Sequence, residues 1–222
     1  MVLSVMAAAL CASSEDTTVR PVAGTQESLL RIARAPLLLL ACGVGLVLYF
    51  AVYTTVYGFA TVLAERLGAT RAQLGYLTAA AFLAYGAFTI LAPALIRLLG
   101  ERRTLLLGLL VATSAILPTP LVRGIGAIFA LQVLSGAGRG ILMPLLLSLS
   151  IKAVTAPDRA SAMGIFQAAY ALGMSIGPWI SGGLADSFGL ASVFILCGGL
   201  CLGCFLACLV LTTRGALGAA LR

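Results

Sequence analysis

The sequence predicts an all-α polytopic membrane protein, a bundle of six transmembrane helices. Three observations lead there. Only 9% of its 222 residues are charged and 61% are hydrophobic, whereas an ordinary soluble domain carries about 25% charged residues. Mean hydropathy is high, at +1.12. Charges or turn residues also cut the chain into six apolar runs, near 36–62, 74–96, 104–121, 125–151, 161–185 and 190–212. Each is close to the roughly 20 residues that a helix needs to cross a hydrocarbon core about 30 Å thick.

Before the first run lies an N-terminal segment, residues 1–35. Met1 to Ala12 is apolar but too short to span, and it lacks the basic flank and longer apolar core of a signal peptide. It reads as the stub of a preceding helix, which would make this chain the later part of something longer. Residues 13–28 are polar and read as a cytoplasmic linker leading into the basic approach SLLRIAR at 28–34. The bundle itself then occupies 36–213, and 214–222 is a short cytoplasmic tail.

Net charge is +7, from 14 Lys and Arg against 7 Asp and Glu. Topology explains this excess better than nucleic acid does. Six spans put both termini on one side, which carries Arg20, Arg31, Arg34, Arg97, Arg102, Arg103, Lys152, Arg159, Arg214 and Arg222. The other side carries Arg66, Arg71 and Arg123. By the positive-inside rule the first side is cytoplasmic, so both termini are expected there. Arg-rich, Lys-poor usage with abundant Ala, Leu and Gly fits the cytoplasmic membrane of a bacterium or archaeon.

Taken in order, the spans carry distinct signals. Span 1 bears Tyr49, Tyr53 and Tyr57 at every fourth residue, a polar-aromatic stripe on an aliphatic helix. Span 2 repeats the pattern with Thr78, Phe82, Tyr85 and Thr89 and ends at the basic turn R-L-L-G-E-R-R (97–103) before span 3. Span 4 aligns Gln132, Ser135, Gly136, Arg139 and Met143. Span 5 adds Gln167, Tyr170 and Met174, then Gly173, Gly177, Pro178, Gly182 and Gly183. Glycine at every fourth position lets a neighbouring helix approach, and Pro178 removes a backbone donor where a kink can act as a hinge. The stripes are expected to line a water-filled cavity that binds substrate. The alternative is that these tyrosines and threonines satisfy one another between packed helices.

Span 6 carries Cys197, Cys201, Cys204 and Cys208 on one face. A C-x-x-C would be a redox or zinc signal in a soluble loop. Inside an apolar helix, in a chain with no His, it reads as a small polarizable packing face. No cofactor, metal site or catalytic set is expected.

Arg139 is the sharpest single residue. A mid-membrane Arg costs several kcal/mol unless it faces a cavity or a partner. Three roles stay open: contact with an anionic or polar substrate, pairing with a carboxylate elsewhere, or bracing of backbone carbonyls near Pro144.

Three segments carry a family resemblance. The long glycine-rich span 4 runs into T-A-P-D-R-A-S-A-M-G (155–164), which is followed by G-I-F-Q-A-A-Y-A-L-G-M-S-I-G-P (164–178), and R-L-L-G-E-R-R is a degenerate basic loop motif. In these the chain resembles the carboxy-terminal six-helix half of a major facilitator superfamily transporter, over about 36–213. The family's loop motif has an Asp before its basic cluster, where this chain has Ile96. Conversely, G-G-L-A-D-S-F-G (182–189) keeps that motif's Gly, Asp and Gly spacing without its basic end, as expected if spans 4–6 repeat spans 1–3 with inverted topology.

The resemblance implies a secondary transporter that moves a small organic solute across the cytoplasmic membrane by alternating access, with drug or metabolite export and H+ coupling as its finer form. It implies Tyr49, Tyr53, Tyr57, Tyr85, Gln132, Arg139, Gln167 and Tyr170 as candidate substrate contacts. Gly173, Gly177 and Pro178 are candidate hinges, and Arg102, Arg103, Asp158 and Arg159 are candidate ties between cytoplasmic helix ends. It also implies a partner, because the family has two six-helix halves: a separate second half, another part of a longer chain, or a second copy. No Asp, Glu or His lies deep in any span, so a proton-carrying carboxylate is expected in the other half. A channel would show a repeated pore loop and an enzyme a catalytic set, and neither is present. A non-transporting membrane scaffold or regulatory half is the remaining alternative.

Overall fold

Proline, threonine and glycine set the ends of six long helices. The computed structural model describes residues 31–152 and 154–213, and the expected stub at 1–12, the linker at 13–28 and the tail at 214–222 lie outside them. Helix α1 (Pro36–Arg66) begins with a proline in its first turn, where a missing N–H leaves no bond unmade. Its residues Thr55–Phe59 are wound as a π turn. Helix α2 (Arg71–Leu99) starts on a reciprocal cap. Gln73 N donates to Thr70 Oγ1 at 3.3 Å, and Thr70 N donates to Gln73 Oε1 at 2.8 Å. Helices α3 (Glu101–Ile116), α4 (Ile125–Lys152), α5 (Arg159–Phe188) and α6 (Leu190–Thr213) complete the bundle.

Five of the six are long and apolar enough to cross a membrane: α1, α2, α4, α6, and α3 together with the turn that follows it. The sixth, α5, has 30 residues and so exceeds 40 Å at about 1.5 Å per residue. Gln167, Ser175, Ser181 and its glycines make it less apolar than the span expected over 161–185. The chain is an all-α polytopic membrane protein.

Two tight joints relate its halves. Gly100 links α2 to α3 with φ 80° and ψ 160°, and Gly189 links α5 to α6 with φ 82° and ψ 168°. Only glycine occupies that region at low cost. At each joint the glycine N–H donates to the carbonyl four residues back, Ile96 or Ala185, at 2.9 Å. A hydroxyl on the next helix, Thr104 or Ser192, then reaches the carbonyl five residues before the glycine, Leu95 or Leu184, at 3.4 Å. Helix pairing follows the same rule. α1 packs chiefly on α5 and α2 on α4, while α3 meets α4 and α6 meets α1. Exchanging α1–α3 with α4–α6 maps each pair onto another, which is the signature of two three-helix repeats.

The main core fills the centre with Leu38, Leu48, Leu105, Leu109, Leu142 and Leu145. Cys197 and Cys201 pack with Phe50, Ala51 and Ile116 in a second cluster. Glycines bring the main pairs into backbone contact. A Cβ at Gly140 of α4 would lie 2.6 Å from the Tyr85 carbonyl of α2, and one at Gly177 of α5 would lie 2.7 Å from the Phe50 carbonyl of α1. Gly136 and Gly173 face Ala81 and Leu46 in the same way. Gly140→Ala should therefore cost about 1–3 kcal/mol through overpacking. Gly43→Ala, where the added carbon meets nothing within 4 Å, should be neutral or slightly stabilising. Thermal unfolding of the two variants in one detergent checks the difference.

Candidate functional site

The tyrosine stripe on α1 forms one continuous aromatic row with rings from α2 and α5. Tyr49 and Tyr53 have ring centroids 6.1 Å apart, and Tyr53 and Tyr57 meet edge to face at 5.1 Å. At one end Tyr170 of α5 stacks on Tyr49 at 4.7 Å and touches Phe166 at 5.3 Å. At the other, Phe82 of α2 lies 5.6 Å from Tyr57. The Tyr49 hydroxyl donates to the Met143 sulfur at 3.4 Å, joining the row to α4.

The row ends on Arg139. This side chain is 4% exposed, and among the described residues no carboxylate pairs with it. Its Nη1 donates to the Tyr57 hydroxyl. Its guanidinium carbon lies 4.4 Å from the Tyr85 ring centre, 5.3 Å from that of Tyr57 and 5.6 Å from that of Phe82. Each such face offers a desolvated cation about 1–2 kcal/mol, which lowers the cost of burial without cancelling the charge. Nε and Nη2 remain buried with no hydrogen-bond partner among the described residues.

Gln132 sits two turns from Arg139 on α4 and does different work. Its Nε2 donates at 3.3 Å to the carbonyl of Val56, inside the π turn of α1. A π turn breaks the ordinary i to i−4 ladder, and the glutamine side chain takes up an acceptor there. Beside it is a cavity of about 10 Å³ bordered by Thr55, Thr119, Gln132 and Ser135, on the order of the space one water needs. Gln167 is exposed on α5. Thr78 and Thr89 turn back to the carbonyls of Leu74 and Tyr85 on their own helix.

The expected ties at the helix ends divide. Arg102 Nε donates to Thr212 Oγ1 of α6 at 3.2 Å. Asp158 lies 3.9 Å from Arg31 and accepts from Thr155 Oγ1 at 2.8 Å. Arg103 and Arg159 are exposed. A tie that sequence reasoning missed joins α3 to α4, where Lys152 Nζ meets Glu101 Oε2 at 2.8 Å. The available signal was that both charges flank spans on one side. Of the hinge candidates, Gly173 and Gly177 are buried against α1, and Pro178 is exposed within an unbroken α5.

Residues 41–220 match the sequence profile of the Major Facilitator Superfamily. The chain belongs to that superfamily. Among its relatives, an uncharacterised MFS-type transporter of Mycobacterium tuberculosis is 32% identical over 61% of this chain and 23% of its own length. The multidrug transporter protein MdtP of Bacillus subtilis is 30% identical over 56% of this chain and 23% of its own. The methylenomycin A resistance protein of Streptomyces coelicolor is 28% identical over 60% of this chain and 28% of its own. The chain thus spans about a quarter of the length of the curated relatives it matches.

Within this superfamily member the Arg139–Tyr57 bond is open to a double-mutant cycle. Tyr57→Phe, which leaves Nη1 without its acceptor, should lower stability by about 1–3 kcal/mol. In an Arg139→Leu background the same change should cost far less, giving a coupling of about 0.5–3 kcal/mol. Four unfolding curves in one detergent measure it.

Proposed function

We propose that the chain is one six-helix bundle of a secondary transporter that moves small organic solutes across the cytoplasmic membrane by alternating access. The aromatic row that runs from Tyr170 through Tyr49, Tyr53 and Tyr57 to Arg139 carries this reading. It is continuous, only partly buried, and has a charge at one end, a surface suited to a solute with a planar apolar body. Gln167, exposed on α5, is the further polar contact this reading offers a solute, while Gln132 is tied to the Val56 carbonyl. The names of two relatives, a multidrug transporter and an antibiotic resistance protein, support export of amphipathic compounds.

Alternating access needs a second bundle to rock against. The outer faces of α2 and α5 suit that contact, with Leu83 75%, Ile90 80% and Trp179 81% exposed. The partner is the remainder of a longer chain, a separate protein or a second copy. In this scheme 36–213 is the moving bundle, with 1–35 and 214–222 cytoplasmic. Gly173, Gly177 and Pro178 lie where α5 rolls on α1. Arg102, Arg103, Asp158 and Arg159 hold the cytoplasmic ends together while the site faces outward. A proton, where it drives the cycle, is carried by a carboxylate of the second bundle.

The full chain in nanodiscs, weighed by native mass spectrometry, and proteoliposomes made from the same sample test this. Uptake of at least one of a panel of radiolabelled aromatic solutes, anionic, neutral and cationic, is expected, with a loss of at least about tenfold in Tyr49→Ala/Tyr170→Ala, equal to about 1.4 kcal/mol of lost solute contact. A monomer that moves none of them would mean that the bundle needs a second half from elsewhere, and a stable dimer that moves none would be a scaffold.

A further inference from the structure

We infer that the Nε–Nη2 edge of Arg139 is a receptor for the carboxylate of an aromatic organic acid. This rests on the reading of the aromatic row as a solute path and names the class of solute. A guanidinium presents its donors in a planar fork that fits a carboxylate through two parallel bonds. Tyr57 occupies Nη1, so the unused pair is Nε and Nη2, the two nitrogens that form the side-on fork. Both are buried without a partner, in a side chain that is 96% buried, given its 4% exposure. A buried charge with an empty bidentate face is costly by itself, and an anion seated there offsets the charge and the missing bonds together.

The surroundings narrow the anion. The rings of Tyr57, Phe82 and Tyr85 stand around the guanidinium, and Tyr49 and Tyr53 continue the row. These surfaces suit a planar apolar body attached to the anionic group. A singly charged carboxylate is favoured over phosphate, because a second charge would have to leave water without a second cation. Like-charge repulsion disfavours an organic cation at the same place. Phe82 is 50% exposed and the Tyr57 and Tyr85 rings are less so, so the approach to the guanidinium lies on the Phe82 side.

The test uses the purified full chain in detergent, with benzoate, its neutral isostere benzamide, and the cation benzylamine as probes. Benzoate should raise the unfolding temperature in a saturable manner, and benzamide and benzylamine should not. Arg139→Gln should weaken the apparent benzoate affinity about 10- to 100-fold. Arg139→Lys, which keeps the charge but not the fork, should fall between. If Arg139→Gln fails to fold, Arg139→Lys keeps the inference open to refutation, since it holds a charge at the site without the fork, and an undiminished benzoate response in it would overturn the receptor. Equal shifts with benzoate and benzamide would overturn the carboxylate receptor while leaving an aromatic solute path in place. So would a benzoate response unchanged in Arg139→Gln, or a fork already filled by a protein carboxylate so that benzoate does nothing while benzamide binds. No shift with any of the three probes would overturn both readings.

Discussion

Lipid tails are as apolar as leucine, so a helix in a bilayer gains nothing simply by exchanging one greasy neighbour for another. What draws membrane helices together is contact closer than lipid can make, and that requires small residues at the seam. In this bundle the seams are α2 against α4 and α1 against α5, and both place glycines of the second repeat on carbonyls of the first. The aromatic row and Arg139 hang on these two seams. The first holds Tyr85 and Phe82 beside Arg139, and the second holds Tyr170 against Tyr49.

Arg139 is the reverse case, a group that lipid would expel and that packing alone cannot satisfy. Its bundle gives it one hydroxyl and three ring faces. These interactions orient the guanidinium and leave two of its three nitrogens unused among the described residues. A residue kept only to brace backbone carbonyls would be bonded to them, and Arg139 is bonded to a tyrosine instead. Gln132 is bonded to a carbonyl, donating to that of Val56 inside the π turn.

Much of the fold was legible because the signals are local. Charges and turn residues mark the span boundaries, and the tyrosine stripe is visible as a four-residue repeat. Ends were less so: α2 runs to 71–99 rather than 74–96 because the Thr70–Gln73 cap and the Gly100 joint add turns at both ends. The glycine pattern on α5 announced a close contact without naming its partner. Tyr57 lies 82 residues from Arg139, and Val56 lies 76 from Gln132. Spacing along one helix says nothing about pairings across such distances. The repeat was suggested by G-G-L-A-D-S-F-G, but the matching of Gly100 with Gly189 rests on backbone angles and hydroxyl bonds that no motif displays.

The π turn at Thr55–Phe59 shifts the phase of α1. One residue more than an α turn contains is wound into that turn, so everything after it is rotated by about 100° relative to an uninterrupted helix. A helical wheel drawn from Pro36 therefore holds for Tyr49 and Tyr53 and fails beyond Tyr57. The two ends of α1 can thus each present their own apolar side to different neighbours: Leu38 and Leu48 to the main core, and Ala64 to the separate cluster with Leu77 and Ile128. A single straight helix has one stripe to offer, and this one has two.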